Sequence, residues 1–309
     1  MTWRRASLLI SAMCLVAMSA APAFAGQPAP SRVPPVPGMV ITESTMPFEE
    51  TWNTLVDALD ANPNIGIVAI IDHAANAASA GLTLEPNRVV VFGNPNLGSP
   101  LMQIDQAAGI DLPQKILVWQ ERDSVYVGYN AVGYLAARHD LGNAPTLETI
   151  AGALRNLASV ATGQEVDDSR VRRLNYVAHH PGLVTVESHF GATETFARLL
   201  AAIDGSPANV AFTVDHAANA DQAGLELRPT SLVVFGNPNL GTPLMNASAT
   251  AGIDLPLKIL VFEDADGATQ VSYSSMPFLV KRHQIHGERQ LVDTITTALE
   301  GFVSAATAP

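Results

Sequence analysis

The heptapeptide Phe92-Gly93-Asn94-Pro95-Asn96-Leu97-Gly98 returns letter for letter 143 positions later as Phe235-Gly236-Asn237-Pro238-Asn239-Leu240-Gly241. The same offset carries Asp72-His73-Ala74-Ala75-Asn76-Ala77 onto Asp215-His216-Ala217-Ala218-Asn219-Ala220, and Gly109-Ile110-Asp111-Leu112-Pro113 onto Gly252-Ile253-Asp254-Leu255-Pro256. An internal repeat constrains the fold more than any local signal, because each structure assigned to one copy must also suit the other. The expected organisation is a signal peptide (1–25), a Pro-rich linker (26–38), repeat domain 1 (39–162), a linker (163–180) and repeat domain 2 (181–305). The two copies are expected to pack on one another as a pseudo-dimer within one chain.

Arg4 and Arg5, the apolar run from Leu8 to Met18 and Ala23-Phe24-Ala25 have the order of a cleavable export signal. The expectation is a periplasmic or secreted protein cut after Ala25. The apolar run is too short to span a bilayer, so no membrane span is expected in the mature protein. Cys14 is the only cysteine and lies inside the leader, which leaves no disulfide and no thiol chemistry afterwards. A net charge of −12 and a pI near 5.0 argue against nucleic acid, whose binding draws on clustered Lys and Arg.

Each copy presents the same order of local signals. An alternating strand (39–45, answered by 183–189) precedes an amphipathic helix with Phe48, Trp52, Leu55, Val56 and Leu59 on one face, answered by 190–203. The apolar run 65–71, answered by 210–214, suits a strand buried on both faces. Asp72 stands where an N-cap carboxylate would begin a short helical turn that Gly81 ends. A strand over 88–92 leads into the repeated loop. Ser99-Pro100 and Thr242-Pro243 then have the N-cap and first-turn chemistry of a helix start, with the helix ending at Gly109 in the first copy. Residues 115–120 and 125–130 form a hairpin, and the second copy carries one extra residue at its tip. Helices over 134–139 and 147–161 close the repeat, mirrored by 278–283 and 291–305. The fold class expected is α+β, two tandem repeats, each a largely antiparallel sheet with helices over one face.

Comparison of the copies singles out a polar set kept while the amphipathic helices diverge. It comprises Asp72/Asp215, His73/His216, Asn76/Asn219, Asn94/Asn237, Asn96/Asn239, Asp111/Asp254, Lys115/Lys258, Tyr129/Tyr273, Arg138/Arg282 and His139/His283. Polar residues at strand ends and in loops point to a site more than core residues do. The repeated loop has two readings: an anion cradle of outward N–H groups beside a helix start, or plain Asn-Pro turn chemistry. It is neither a P-loop nor a dinucleotide fingerprint. His73 and His139 suit acid-base or metal work, or structural hydrogen bonds. Lys115, among apolar neighbours, suits a depressed pKa and a role as base or nucleophile, or an ion pair with Asp111. Arg138 suits a carboxylate ligand or an acidic neighbour. His-x-x-x-His and Glu-x-x-His spacings are absent, so a metal would have to be held by distant segments.

The run Asp-His-Ala-Ala, then Val-Val-Phe-Gly-Asn-Pro-Asn-Leu-Gly-Ser-Pro-Leu-Met, then Gly-Ile-Asp-Leu-Pro-x-Lys-Ile-Leu-Val-Trp, then Tyr-Leu-Ala-Ala-Arg-His resembles the domain-of-unknown-function 302 family, in both copies. The resemblance implies a β-α-β4-α type domain, often a homodimer of single domains, and it implies no reaction, cofactor or catalytic residue. The leading functional expectation is a binding protein for a small ligand, anionic or metal-associated, held near Asn94, His73, Lys115 and His139 and again at the equivalent positions. The alternatives are an enzyme using His/Lys general acid-base chemistry and a structural or partner-binding module.

Overall fold

A computed structural model describes residues 35–169, 171 and 181–309. The expected signal peptide, most of the Pro-rich linker and His179-His180 of the connector lie outside the described residues. The first repeat runs β1 (Met39–Glu43), α1 (Phe48–Asp60), β2 (Gly66–Asp72), α2 (His73–Ser79), β3 (Asn87–Gly93) and α3 (Pro95–Ile104). A 3-10 segment (Gln106–Asp111) follows, then β4 (Gln114–Glu121), β5 (Ser124–Asn130), α4 (Val132–Arg138) and α5 (Leu147–Thr162). The second repeat follows the same order: β6 (Leu183–Glu187), α6 (Ala192–Asp204), β7 (Asn209–Asp215), α7 (His216–Gln222), β8 (Thr230–Gly236) and α8 (Pro238–Ala247). Its 3-10 segment is Ala249–Ile253, before β9 (Leu257–Glu263), β10 (Thr269–Ser274), α9 (Met276–Arg282) and α10 (Arg289–Thr307). Each repeat forms one five-stranded antiparallel sheet, ordered β1-β5-β4-β3-β2 and β6-β10-β9-β8-β7. The α+β class with internal duplication is thus as expected.

Alternation along the central strands gives each sheet two faces. Val90, Phe92, Ile116, Val118, Val127 and Tyr129 point to the face covered by α1 and α5, where Leu55, Leu59, Ile150, Leu154 and Leu157 meet them. The opposite face carries Met39, Ile71, Val89, Leu117, Trp119 and Tyr126. That face is covered by the other repeat: Ile253 and Ala249 of the second 3-10 segment pack on it. Reciprocally, Ala107 and Ile110 of the first 3-10 segment pack on Val214, Leu232, Val234, Leu260 and Phe262. These 3-10 segments approach so closely that a Cβ on Gly252 would meet Asn87 and Leu117, and one on Gly109 would meet Leu260 of the other sheet at 3.1 Å.

Three local expectations need correction. β2 is an edge strand, with Val68 and Ile70 at 42% and 49% exposure, because nothing among the described residues pairs with its outer side. Its continuous apolar run therefore does not mark burial on both faces. The helix after the repeated loop begins at Pro95, one turn before Ser99-Pro100. Asn94 caps it, with its side chain accepting from Asn96 N at 2.9 Å, so the Asn-Pro pair supplies the same N-cap and proline chemistry earlier and Pro100 falls inside the helix. Finally, α3 ends at Ile104, and residues up to Asp111 form the separate 3-10 segment that reaches the other repeat.

Candidate functional site

The kept polar residues divide among three places. Asp72 and Asp215 are N-caps: Asp72 accepts from Ala75 N at 2.8 Å and Asp215 from Ala218 N at 2.9 Å. Asp72 also pairs with Arg88 at 2.7 Å, which in turn reaches Glu49 at 2.7 Å. Burial works to raise the Asp72 carboxyl, but the Ala75 N–H and Arg88 outweigh it and hold the pKa below the usual range. Tyr129 and Tyr273 lie on the helix-covered faces, in the cores, away from the lysines.

The second place is a pair of grooves that each repeat shares with the other. The groove at the first repeated loop, about 540 Å³, is lined by Asn94, Asn96, Phe92, Met102 and Leu154, and by His216 and Asn219 of the second repeat. Its counterpart, about 650 Å³, is lined by Asn237, Phe235, Met245, Leu299 and Phe302, and by His73 and Asn76 of the first repeat. Thus His73 joins Asn237 and His216 joins Asn94, where the sequence reading had grouped His73 with Asn94. The exchange follows from α2 and α7 packing beside α8 and α3 of the opposite repeat. His73 Nε2 lies 3.0 Å from the Gly252 carbonyl and His216 Nε2 lies 3.1 Å from the Gly109 carbonyl. A carbonyl only accepts, so each ring is the Nε2–H tautomer. Burial lowers both pKa values to about 4, against smaller opposing effects of the carbonyl bond and the preceding aspartate.

In these grooves the loop does not act as an anion cradle. Leu97 and Gly98 N–H donate to Asn94 O at 2.9 and 3.0 Å, and Asn96 N–H donates to Asn94 Oδ1. The first amides of α3 are therefore satisfied within the turn itself, and the same bonds recur at Asn237.

The third place is a buried charged cluster where the two repeats meet. Asp111 Oδ2 accepts from Arg138 Nη1 at 2.7 Å and from His139 Nε2 at 2.8 Å. Asp254 Oδ2 accepts from Arg282 Nη1 at 2.5 Å and from His283 Nε2 at 2.8 Å. Each arginine also crosses to the other repeat, Arg138 to Ser274 Oγ at 2.9 Å and Arg282 to Asn130 Oδ1 at 2.6 Å. Arg282 stacks over the Tyr134 ring at 4.2 Å and Arg138 over Phe278 at 5.0 Å. Lys258 Nζ stands 3.6 Å from Asp111 Oδ1. Burial pushes the two carboxyls up, yet the guanidinium and imidazole donors hold both well below their ordinary value. Burial, with the Lys258 ammonium beside it, holds the Lys115 amine well below the ordinary lysine value. His139 and His283 are also lowered by burial, against the pull of their aspartates.

Lys115 and His139 therefore do belong together, in this cluster and apart from His73 and Asn94. The sequence reading missed the part played by Asp111 and Asp254, which it weighed only as a partner for Lys115. Their recurrence at the same offset was the available signal. What it lacked was the contact across repeats. Among the described residues no group of three or more His, Cys, Asp or Glu side chains is arranged to hold a metal ion, and no helix is long and apolar enough to cross a membrane.

The chain is 38% identical over 142 residues to a protein of Brucella suis biovar 1 (strain 1330) named fluoride-specific ion channel FluC 1, a match covering 45% of this chain and 56% of that protein. The namesake from Brucella abortus biovar 1 (strain 9-941) matches equally, over 45% and 52%. The chain thus spans about half the length of these relatives. The crystal structure of an uncharacterized conserved DUF302 protein from Bacillus stearothermophilus matches with a TM-score of 0.38 and 20% identity, over 41% of this chain and 98% of that one. The family model described as domain of unknown function DUF302 matches residues 40–157 and 184–306, and with both repeats so covered the chain belongs to that family.

Proposed function

We propose that the protein binds a small amphipathic molecule in each of its two grooves, one site per repeat, with both repeats contributing to each site. The observation that carries this reading is the reciprocal construction of the grooves: a repeated loop and the core edge of one repeat, closed by the His and Asn of the other. Their volumes lie in the range of small-molecule sites, and an apolar lining with a few placed polar groups is the usual character of such sites. Phe235, Leu244, Leu299 and Phe302 would take the apolar body, and Asn237 with Asn76 the polar end. The reciprocal contacts also support reading the chain as a dimer of single repeats joined in one polypeptide. The relatives named as fluoride channels match over a segment of one repeat's length, so ligand binding, and not conduction, is what we carry to this chain.

The test uses anilinonaphthalene sulfonate, which joins an apolar ring system to an anionic head, titrated into the full chain at neutral pH. Two saturable sites per chain are expected. Ala298→Trp should remove one and Ala153→Trp the other, since each fills one groove. Absence of saturable fluorescence, or binding untouched by both variants, would refute the proposal.

A further inference from the structure

Apart from the grooves, a cavity of about 500 Å³ opens where the end of α8 and the second 3-10 segment meet the end of β4 in the first repeat. Divergence between the copies creates it. In the first repeat Gln106 is buried and reaches across to Thr230 Oγ1 at 2.5 Å and to the Arg228 carbonyl at 3.2 Å. The equivalent residue of the second repeat is Ala249, whose methyl is too short to span the corresponding space beside Asn87, the counterpart of Thr230. That space stays open, and polar side chains of the second repeat stand in its wall.

An unbroken line of hydrogen bonds runs from this wall into the charged cluster. Ser248 Oγ lies 3.0 Å from Thr250 Oγ1, Thr250 Oγ1 lies 3.0 Å from His283 Nδ1, and His283 Nε2 lies 2.8 Å from Asp254 Oδ2. The far end fixes the direction of every bond. Asp254, kept ionised against burial by Arg282, only accepts, so His283 Nε2 carries the proton. Burial outweighs the pull of Asp254 and holds His283 below the ordinary imidazole value, so at neutral pH Nδ1 is an acceptor. Thr250 therefore donates to Nδ1, and its oxygen accepts from the Ser248 hydroxyl. Thr250, His283 and Asp254 are buried, whereas Ser248 is half-buried at the cavity wall. The first repeat cannot form this line, since Asp105 and Ala107 stand at the positions of Ser248 and Thr250.

We propose that Ser248 is the nucleophile of an acyl-transfer site, with Thr250 and His283 as its proton relay, and that the cavity takes a small carboxylic ester. A hydroxyl within hydrogen-bond reach of a base path, with the base oriented by a further group, is the arrangement that nucleophilic catalysis requires. Ser248 Oγ forms a bond to the ester carbonyl carbon while its proton passes to Thr250 Oγ1 and the Thr250 proton passes to His283 Nδ1. Asp254 steadies the imidazolium so formed. Collapse of the adduct breaks the bond to the alcohol oxygen, which takes the proton back along the same route and leaves an acyl-serine. Water then repeats the sequence, releasing the carboxylic acid and restoring Ser248. Val36, Leu84 and Met245 supply apolar wall for the acyl chain, and Arg122 at the rim supplies N–H donors for charge developing on the carbonyl oxygen.

The experiment incubates the full chain at neutral pH with p-nitrophenyl acetate, follows release of p-nitrophenolate, and locates the acetyl group by peptide mass spectrometry after an acid quench. Saturable turnover and an acetyl group on Ser248 are expected. Ser248→Ala should abolish both. Thr250→Val, which keeps the shape of the side chain and removes its donor, should lower the rate by about 10²-fold or more. Thr250→Ser restores the hydroxyl and should retain most of the rate, a rescue that a purely structural role of Thr250 would not produce. Urea unfolding of each variant separates lost chemistry from lost fold. No turnover, turnover that survives Ser248→Ala, acetylation confined to other residues, or a folded Thr250→Val as active as the wild type would overturn the proposal and leave these hydroxyls as packing of the interface.

Discussion

Acidification should separate the repeats' histidine contacts from the rest of the fold. His73 and His216 are buried, neutral and bonded through Nε2–H to glycine carbonyls of the opposite repeat, with pKa values near 4. An imidazole in the unfolded chain titrates near 6.5. Because the folded value is the lower one, the unfolded chain takes up protons that the folded chain refuses as the pH falls from about 6.5 to about 4. This contribution is fully present above the unfolded pKa and is lost across that window. At about 1.4 kcal/mol per pKa unit, the gap amounts to about 3 kcal/mol for each histidine, of which about 2 kcal/mol is already gone by about pH 5. Two such sites would lose about 4 kcal/mol, a large part of the roughly 5–15 kcal/mol that holds an ordinary domain folded. His139 and His283 shift in the same direction and add to the loss. Asp111 and Asp254 have depressed pKa values, so their contribution persists above the unfolded carboxylate range and fails only as the pH falls below about 4. The assay is urea unfolding at about pH 7 and about pH 5 for the wild type and for His73→Gln/His216→Gln, whose amide replaces the donor without titrating. The variant should show about 4 kcal/mol less loss on acidification. An unchanged pH slope would refute the reasoning, because it would mean that these imidazoles charge while the chain remains folded.

Two further substitutions test the packing of the repeats. Asp111→Asn leaves Arg138 and Lys258 without their carboxylate and should cost about 3–5 kcal/mol in chemical denaturation. Adding Arg138→Met to it should return part of that loss. Gly252→Ala, which drives a methyl toward Asn87 and Leu117, should cost about 1–3 kcal/mol. By contrast, Gly152→Ala on the open face of α5 should gain about 0.5–1 kcal/mol in the same measurement.

Most of one repeat could be read from its own sequence because the determinants are local. The helical spacing of Phe48, Trp52, Leu55 and Leu59 gives α1, alternation gives β4 and β5, and Asp72 caps α2 as its position demands. Edge strands are a different matter. The run from Ile67 to Ile71 is apolar whether or not a neighbour covers it, and only the strand order reveals that Val68 and Ile70 are exposed. The site was legible as a set of residues and illegible as an arrangement. Asp111, Lys115 and His139 recur at the repeat offset, but nothing in the spacing shows that Lys258 of the second repeat reaches Asp111 of the first. Nor does it show that His73 faces Asn237. Contacts between equivalent segments of a duplicated chain leave the same sequence trace whether each segment meets its own repeat or the other.

Duplication within one chain also permits what a dimer of identical subunits does not, namely different side chains at equivalent places around one interface. His283 Nδ1 lies 3.0 Å from Thr250 Oγ1, while the equivalent of Thr250 is Ala107 and His139 Nδ1 instead has Asp105 at 3.8 Å. Tyr134 is answered by Phe278, and Asn130, which holds Arg282, is answered by Ser274, which holds Arg138. Lys258 stands within 4.0 Å of Asp111, whereas among the described residues no such ion pair joins Lys115 to Asp254. Lys115 is thus the less compensated of the two lysines, and it has Lys258 as a cationic neighbour. Lys115→Met should therefore cost less in urea unfolding than Lys258→Met, which takes a cationic partner from Asp111; equal costs would show that these differences between the repeats do not reach the two lysines.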